Sequence, residues 1–279
     1  MSIRRLISKI FVCRVAVARL ASLSTACALA PQFLAACGTV PETGRSQMML
    51  LSLSEERQLG EAAYTEMLAQ AKTISSGPDF ARVQRVGQRI ADASVRRYPQ
   101  AVRDFQWQFA LIDTPEVNAW MLPGGKSAVN TGLLTVATSD DELAVVMGHE
   151  AAHAIARHGG ERVSRAMAVE IAAGIVSETG QLSPELIDGV LAGYGAVGET
   201  AFSRSEETEA DEIGLLIAAD AGYDPRAAVG FWRKMSSQGG EKPPEFLSTH
   251  PSDDKRAARL EALMPKALAI YEEAKRAGR

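Results

Sequence analysis

One segment constrains the fold of this chain more than any other: Ser139-Asp140-Asp141-Glu142, followed by a run of small and apolar residues that ends at His158. Ser139 is placed to cap a helix while Glu142, three residues on, bonds back to it. The acids of that first turn suit the positive end of the helix dipole. The helix is expected over 143–158, stopping at Gly159, a residue suited to a C-terminal position. Val145, Val146, Met147, Ala151, Ala152 and Ile155 make it apolar nearly all round, so other elements must enclose it. A helix so enclosed keeps His149, Glu150 and His153 only if something partners them, because an unpartnered polar group inside costs several kcal/mol.

A metal ion is the partner that this spacing suits. Four residues advance a helix by slightly more than one turn, so His149 and His153 share a face and can grip one zinc ion. Glu150 is displaced sideways, where it can reach a water in the open position without ligating the metal. Two imidazoles leave zinc short of a third protein ligand. Downstream, Ser203-Arg204-Ser205-Glu206-Glu207-Thr208-Glu209-Ala210-Asp211 leads into Leu215-Leu216-Ile217, a second helix with acids in its first turn. Glu207 and Asp211 are spaced i, i+4 and share a face; one can take the metal while the other holds a ligand imidazole by its second nitrogen. Glu206 and Glu209 fall elsewhere on the wheel and are expected in solvent. His158 lies about 140° round the helix from His153, which points to a helix cap rather than a ligand.

The rest of the chain reads as α+β, a small sheet beside a mainly helical body. Helices are expected from about Ser54 to Lys72 and after Gly77-Pro78-Asp79, where Phe80, Val83, Val86 and Ile90 recur at helical spacing. Phe105, Trp107, Phe109 and Leu111 alternate with polar or small residues, as in a strand buried on one face. Residues 118–122 and 127–130 flank Pro123-Gly124-Gly125-Lys126, a hairpin with a four-residue turn. Beyond Leu134 the pattern is helical, with breaks expected at Gly159-Gly160, Gly180, Gly222, Gly239-Gly240 and Pro265.

The charge is uneven. The 279 residues carry a net −4, yet residues 1–36 hold Arg4, Arg5, Lys9, Arg14 and Arg19 and no acid, leaving 25 basic against 34 acidic groups beyond them. An acidic body is repelled by a phosphate backbone, which argues against nucleic-acid binding. The basic start followed by an apolar stretch has the layout of an export signal. Leu34-Ala35-Ala36-Cys37 resembles the bacterial lipobox, in which the cysteine is lipidated. Cys37 is the last of three cysteines, so after cleavage it would have no thiol to pair with. The expected organisation is a lipoprotein signal over 1–36, a tether over 37–53 and a zinc-binding domain over 54–279. Gly38 after the cysteine points to the periplasmic face of a bacterial outer membrane.

An ordered set of segments resembles a known family. Asn118-Ala119 with Leu122-Pro123-Gly124-Gly125, Asn130-Thr131-Gly132-Leu133, His149-Glu150-Ala151-Ala152-His153, Glu207-Thr208-Glu209-Ala210-Asp211, and Ser248-Thr249-His250-Pro251 with Arg256 are similar to the gluzincin-type zinc peptidases that include HtpX and the CaaX prenyl endopeptidases. The short bacterial periplasmic lipoprotein members look most alike. The resemblance implies a zincin-like fold, one zinc per chain, Glu207 as third ligand and Asp211 as the anchor of a ligand imidazole. It also implies protein or peptide substrates, expected here to be unfolded or misassembled envelope proteins. Glu150 would take a proton from the attacking water and return it to the leaving amine. Arg204 and Arg256 are candidates to share the oxyanion, and Val129-Asn130 to pair with an extended substrate. His250, set in a loop before a proline, would either assist there or fill the fourth metal position and hold the enzyme latent. The rival expectation is a zinc-stabilised, non-catalytic, chaperone-like lipoprotein.

Overall fold

The computed structural model describes residues 37–172, 202–237, 245–250 and 255–279. The expected breaks at Gly180 and Gly239-Gly240, the signal over 1–36, and Pro251 lie outside them. In chain order the elements are β1 (Cys37–Thr39), β2 (Ser46–Met48), α1 (Leu53–Gln70), β3 (Thr73–Ile74), α2 (Pro78–Arg97), β4 (Gln108–Ile112), β5 (Ala119–Leu122), β6 (Lys126–Asn130), α3 (Thr131–Leu134), α4 (Asp140–Ile155), α5 (His158–Ala172), α6 (Arg204–Asp220), α7 (Ala227–Ser237), α8 (Glu245–Thr249) and α9 (Arg256–Arg276). This is the expected α+β class: a zincin-like, mainly helical body beside a small sheet. Among the described residues no helix is long and apolar enough to cross a membrane.

The four-stranded sheet has the order β3-β4-β6-β5, with β4 and β6 parallel and the other pairs antiparallel. Alternate side chains of a strand point to opposite faces, and here both faces are covered. Phe109, Leu111, Met121 and Val129 join the core built with α2 and α4, whereas Ala110, Trp120, Leu122 and Ala128 pack with Leu59, Ala63 and Tyr64 of α1 and Val163 of α5. The expected one-sided burial of β4 is therefore corrected; a small Ala110 gives no sign in sequence of a second covered face. Regular pairing also starts only at Gln108. Upstream, Trp107 lies against the side of Gly125 where a Cβ would approach to 3.0 Å.

The hairpin between β5 and β6 pairs Leu122 with Lys126, so its loop is Pro123-Gly124-Gly125, three residues rather than four. Gly124 and Gly125 both adopt positive φ, 86° and 80°, which side chains resist. Because β6 is flanked on both sides, Val129-Asn130 has no free edge for a substrate. The sheet's edges are β3 and β5, and β5 packs on α4.

The stretch 37–53, expected as a tether, is folded onto the body. β1 and β2 form a short antiparallel hairpin, Val40 and Leu51 are buried, and Arg45 reaches Glu161 and Glu209 at 2.8 Å each. A few apolar residues and one arginine suffice, and their polar neighbours conceal them in the sequence.

α4 begins as expected: Ser139 accepts from the Glu142 amide at 3.2 Å, and Glu142 accepts from the Ser139 amide at 3.2 Å. Its end is different. The helix stops at Ile155, Arg157 takes φ 60°, and α5 starts at His158, so Gly159 and Gly160 lie inside the next helix. A left-handed arginine costs about 1–2 kcal/mol. Its guanidinium donates to the Leu51 carbonyl and to buried Glu56, both at 2.8 Å, which holds the turn. Pro265 does not break α9 either. It sits on the exposed side, where water can satisfy the carbonyl it leaves free.

Candidate metal centre

The centre lies where α4 crosses α6. Gly148 and Gly214 meet at this crossing: a Cβ on Gly214 would stand 2.7 Å from the His149 nitrogen and 2.8 Å from the Gly148 carbonyl carbon. No side chain separates the backbones, and His149 and Glu207 are brought within reach of each other. α6 starts at a second capping box, with Ser203 accepting from the Glu206 amide at 3.3 Å and Glu206 accepting from the Ser203 amide at 2.8 Å. Glu206 is thus a buried cap, not the solvated acid expected.

His149, His153, Glu207 and His250 each offer one ligand atom, all within 4.8 Å of one another. The Nε2 atoms of His149 and His153 are 3.1 Å apart, and His149 Nε2 is 3.2 Å from His250 Nδ1. Glu207 oxygens lie 3.5, 3.4 and 2.9 Å from His149, His153 and His250. Four donors about 2.0–2.1 Å from a tetrahedral zinc stand roughly 3.3 Å from each other, so these spacings fit that ion. A second observation agrees: Glu207 Oε2 is buried without a hydrogen-bond partner, which a cation would satisfy.

Glu150 and the four cluster residues are each no more than 4% exposed. Burial pushes the Glu150 carboxyl up to about 7, against the opposing pull of His250. Burial likewise drives His153 well below the ordinary imidazole value. Glu207 is held well below the carboxylate range, because His250 and His149 outweigh its own burial. A neutral imidazole beside an ionised carboxylate is the state in which both can ligate. Glu150 Oε1 stands 3.5 Å from His250 Nε2.

Each α4 imidazole is held from behind. His149 Nδ1 is 3.1 Å from Asp211 Oδ1, and Arg256 donates to the same oxygen at 2.6 Å. Arg256 is buried, 3.5 Å above the Trp232 ring, and faces these carboxylates instead of an open oxyanion position. Arg204 lies exposed in the first turn of α6 and is not brought into the cluster. Cys37 opens β1. His153 Nδ1 is 2.9 Å from His158 Nδ1, and His158 Nε2 is 3.0 Å from Glu209. His158 is therefore no helix cap and Glu209 is not solvated. The turn at Arg157 swings His158 inward, and no local signal in the sequence marks that turn. Phe246 stacks on His250 with centroids 4.4 Å apart, and Phe202 lies 4.0 Å from His153. These aromatic covers were not legible either; His250 itself was found through the Ser-Thr-His-Pro segment.

The family described as peptidase family M48 matches residues 78–264. The mitochondrial metalloendopeptidase OMA1 of Schizosaccharomyces pombe is 36% identical over 82% of this chain and 66% of its own length. Human OMA1 is 32% identical over 83% of this chain and 47% of its own. The β-barrel assembly-enhancing protease of Escherichia coli is 29% identical over 87% of this chain and 50% of its own. The chain thus spans between about half and two thirds of these relatives. The relatives named are OMA1 and the E. coli protease, where HtpX, CaaX and short lipoprotein peptidases were expected. Zinc, as expected, is the metal for metallopeptidases of this kind, and three imidazoles with one carboxylate suit it. The expected location, lipid-anchored at the periplasmic face of a bacterial outer membrane, is overturned by relatives that are named mitochondrial. Basic, acid-free, serine-bearing residues 1–36 match the composition of a mitochondrial presequence as well as that of an export signal, so composition did not separate the two.

Proposed function

The chain belongs to peptidase family M48, and from that premise we propose that it is a zinc-dependent endopeptidase held in a latent form. The observation that carries the reading is Glu150 beside a buried set of three imidazoles and one carboxylate. His149, His153 and Glu207 hold the metal, Asp211 orients His149, and Glu150 is the general base. A zinc ion bound there supplies Lewis-acid polarisation of a peptide carbonyl and lowers the pKa of a nearby water. Glu150, with a carboxyl near 7, can accept a proton as water attacks and return it to the leaving amine. The outer edge of β5 offers backbone groups to an extended polypeptide, which favours unfolded or misassembled protein substrates over any one sequence. The relatives' names extend the proposal to a mitochondrial setting.

Latency follows from His250. Its Nδ1 lies with the other donors and its ring is packed on Phe246, so it takes the position that water needs. Displacing α8 would free that position. The same closed donor set favours a second reading, a structural zinc site without catalysis, since structural sites close their fourth position with protein. Zinc content and casein hydrolysis separate the two. His250→Ala should retain about one zinc per chain and raise basal hydrolysis, and adding Glu150→Gln should abolish that hydrolysis with zinc still bound. If His250→Ala and the double variant cleave casein equally, or neither cleaves it, the enzyme reading fails and the structural one stands.

A further inference from the structure

All four histidines of this chain lie in one buried row, yet the metal set uses three of them. The fourth, His158, is fully buried and touches no ligand atom that faces the cluster. It meets the far side of His153, Nδ1 to Nδ1 at 2.9 Å. Two imidazole nitrogens at that distance share one proton, so one donates and the other accepts. If His153 gives Nε2 to the metal, its proton is on Nδ1 and His158 must accept there. The proton of His158 is then on Nε2, 3.0 Å from Glu209, and a carboxylate accepts it. Glu209 in turn accepts from Thr43 at 2.9 Å and from Arg45 at 2.8 and 3.0 Å. Every donor in the row has an acceptor in one arrangement of protons.

We propose that His158 and Glu209 are positioning residues for the metal ligand His153, with Arg45 of the β1–β2 hairpin anchoring the row. The arrangement repeats, with one insertion, what Asp211 and Arg256 do for His149. A carboxylate held by arginine stands behind each α4 imidazole, directly behind His149 and through His158 behind His153. Glu207, Glu209 and Asp211 thus divide three tasks along one stretch of α6. The hairpin at 37–48, although remote in sequence from both helices, becomes part of the metal site.

This inference rests on the metal set argued above, and the experiment distinguishes the two. Zinc affinity is measured by chelator competition for the wild type, His158→Leu, His158→Asn and Glu209→Gln, with visible spectra of the cobalt(II)-substituted proteins as a second readout. Unfolding of the zinc-free proteins serves as the fold control. Leucine fills the space but accepts no proton, and should weaken zinc binding by about 10–100-fold and shift the cobalt bands. Asparagine presents an oxygen near the lost Nδ1 and should restore most of the affinity. Glu209→Gln should fall between them. Equal affinities and spectra in all four proteins would overturn the relay alone. Equal losses in the leucine and asparagine variants, tracking the stability of the zinc-free fold, would reduce His158 to packing. A wild type that binds no zinc would remove the metal site and the relay with it.

Discussion

Substituting Gly214 by alanine tests whether the crossing of α4 and α6 sets the metal site. The new methyl would meet the His149 nitrogen at 2.7 Å, whereas ordinary contact begins at 3.4 Å, so the helices must part by about 0.7 Å. The opposing atoms are backbone and cannot rotate away. Overpacking of this kind costs about 1–3 kcal/mol, and the upper part of that range applies here. Alanine recovers about 1 kcal/mol of helix propensity, leaving a net loss of about 1–2 kcal/mol. Metal–ligand distances tolerate only about 0.2 Å, so zinc affinity should fall at least about tenfold. Gly230 in α7 is the control: a Cβ there meets nothing within 4 Å. Gly230→Ala should stabilise by about 0.8–1 kcal/mol and leave zinc binding unchanged. Urea unfolding of the zinc-free proteins and chelator competition provide both readouts. If Gly214→Ala stabilises as much as Gly230→Ala and binds zinc like the wild type, the close crossing does not position the ligands.

Ser139→Ala removes the cap of α4 and should cost about 1 kcal/mol, read as a lower urea midpoint; no change would show that tertiary packing alone defines this helix start. Phe246→Ala deletes the ring stacked on His250 and should raise basal casein hydrolysis as His250→Ala does; a variant that stays silent while His250→Ala is active would show that the ring does not hold the loop. Burial works to raise Asp140 and Glu142, but Arg85 and Arg82 on the first and Lys234 on the second hold both below the carboxylate range. Depressed folded values contribute stability that is present above the unfolded values of about 4 to 4.5 and lost as pH falls through the folded ones. The urea midpoint of the zinc-free protein should therefore fall below about pH 4.5, and less steeply in Arg85→Met. Parallel pH profiles for Arg85→Met and the wild type would refute that assignment.

What the sequence determined by itself was local. A serine three residues before a glutamate announced α4, i, i+4 spacing put His149 with His153 and Glu207 with Asp211, and paired glycines announced the β5–β6 turn. Such features depend on contacts within a turn or two of one element, where spacing alone decides which groups meet. Tertiary structure decided the rest. The left-handed turn at Arg157, held by Glu56 and the Leu51 carbonyl a hundred residues away in the chain, sent His158 under His153 instead of out to solvent. Glu209 became buried because Arg45 and His158 arrive from two other elements. Arg256 rather than Arg204 reached the cluster because α9 packs along α6, while Arg204 sits on the exposed side of the first turn of α6. β6 became an inner strand and β5 an edge strand because β4 pairs with β6 in parallel, on the side of β6 away from β5. In each case the partner lies far along the chain, and an isolated residue type carries no record of which distant group will neutralise, bury or turn it.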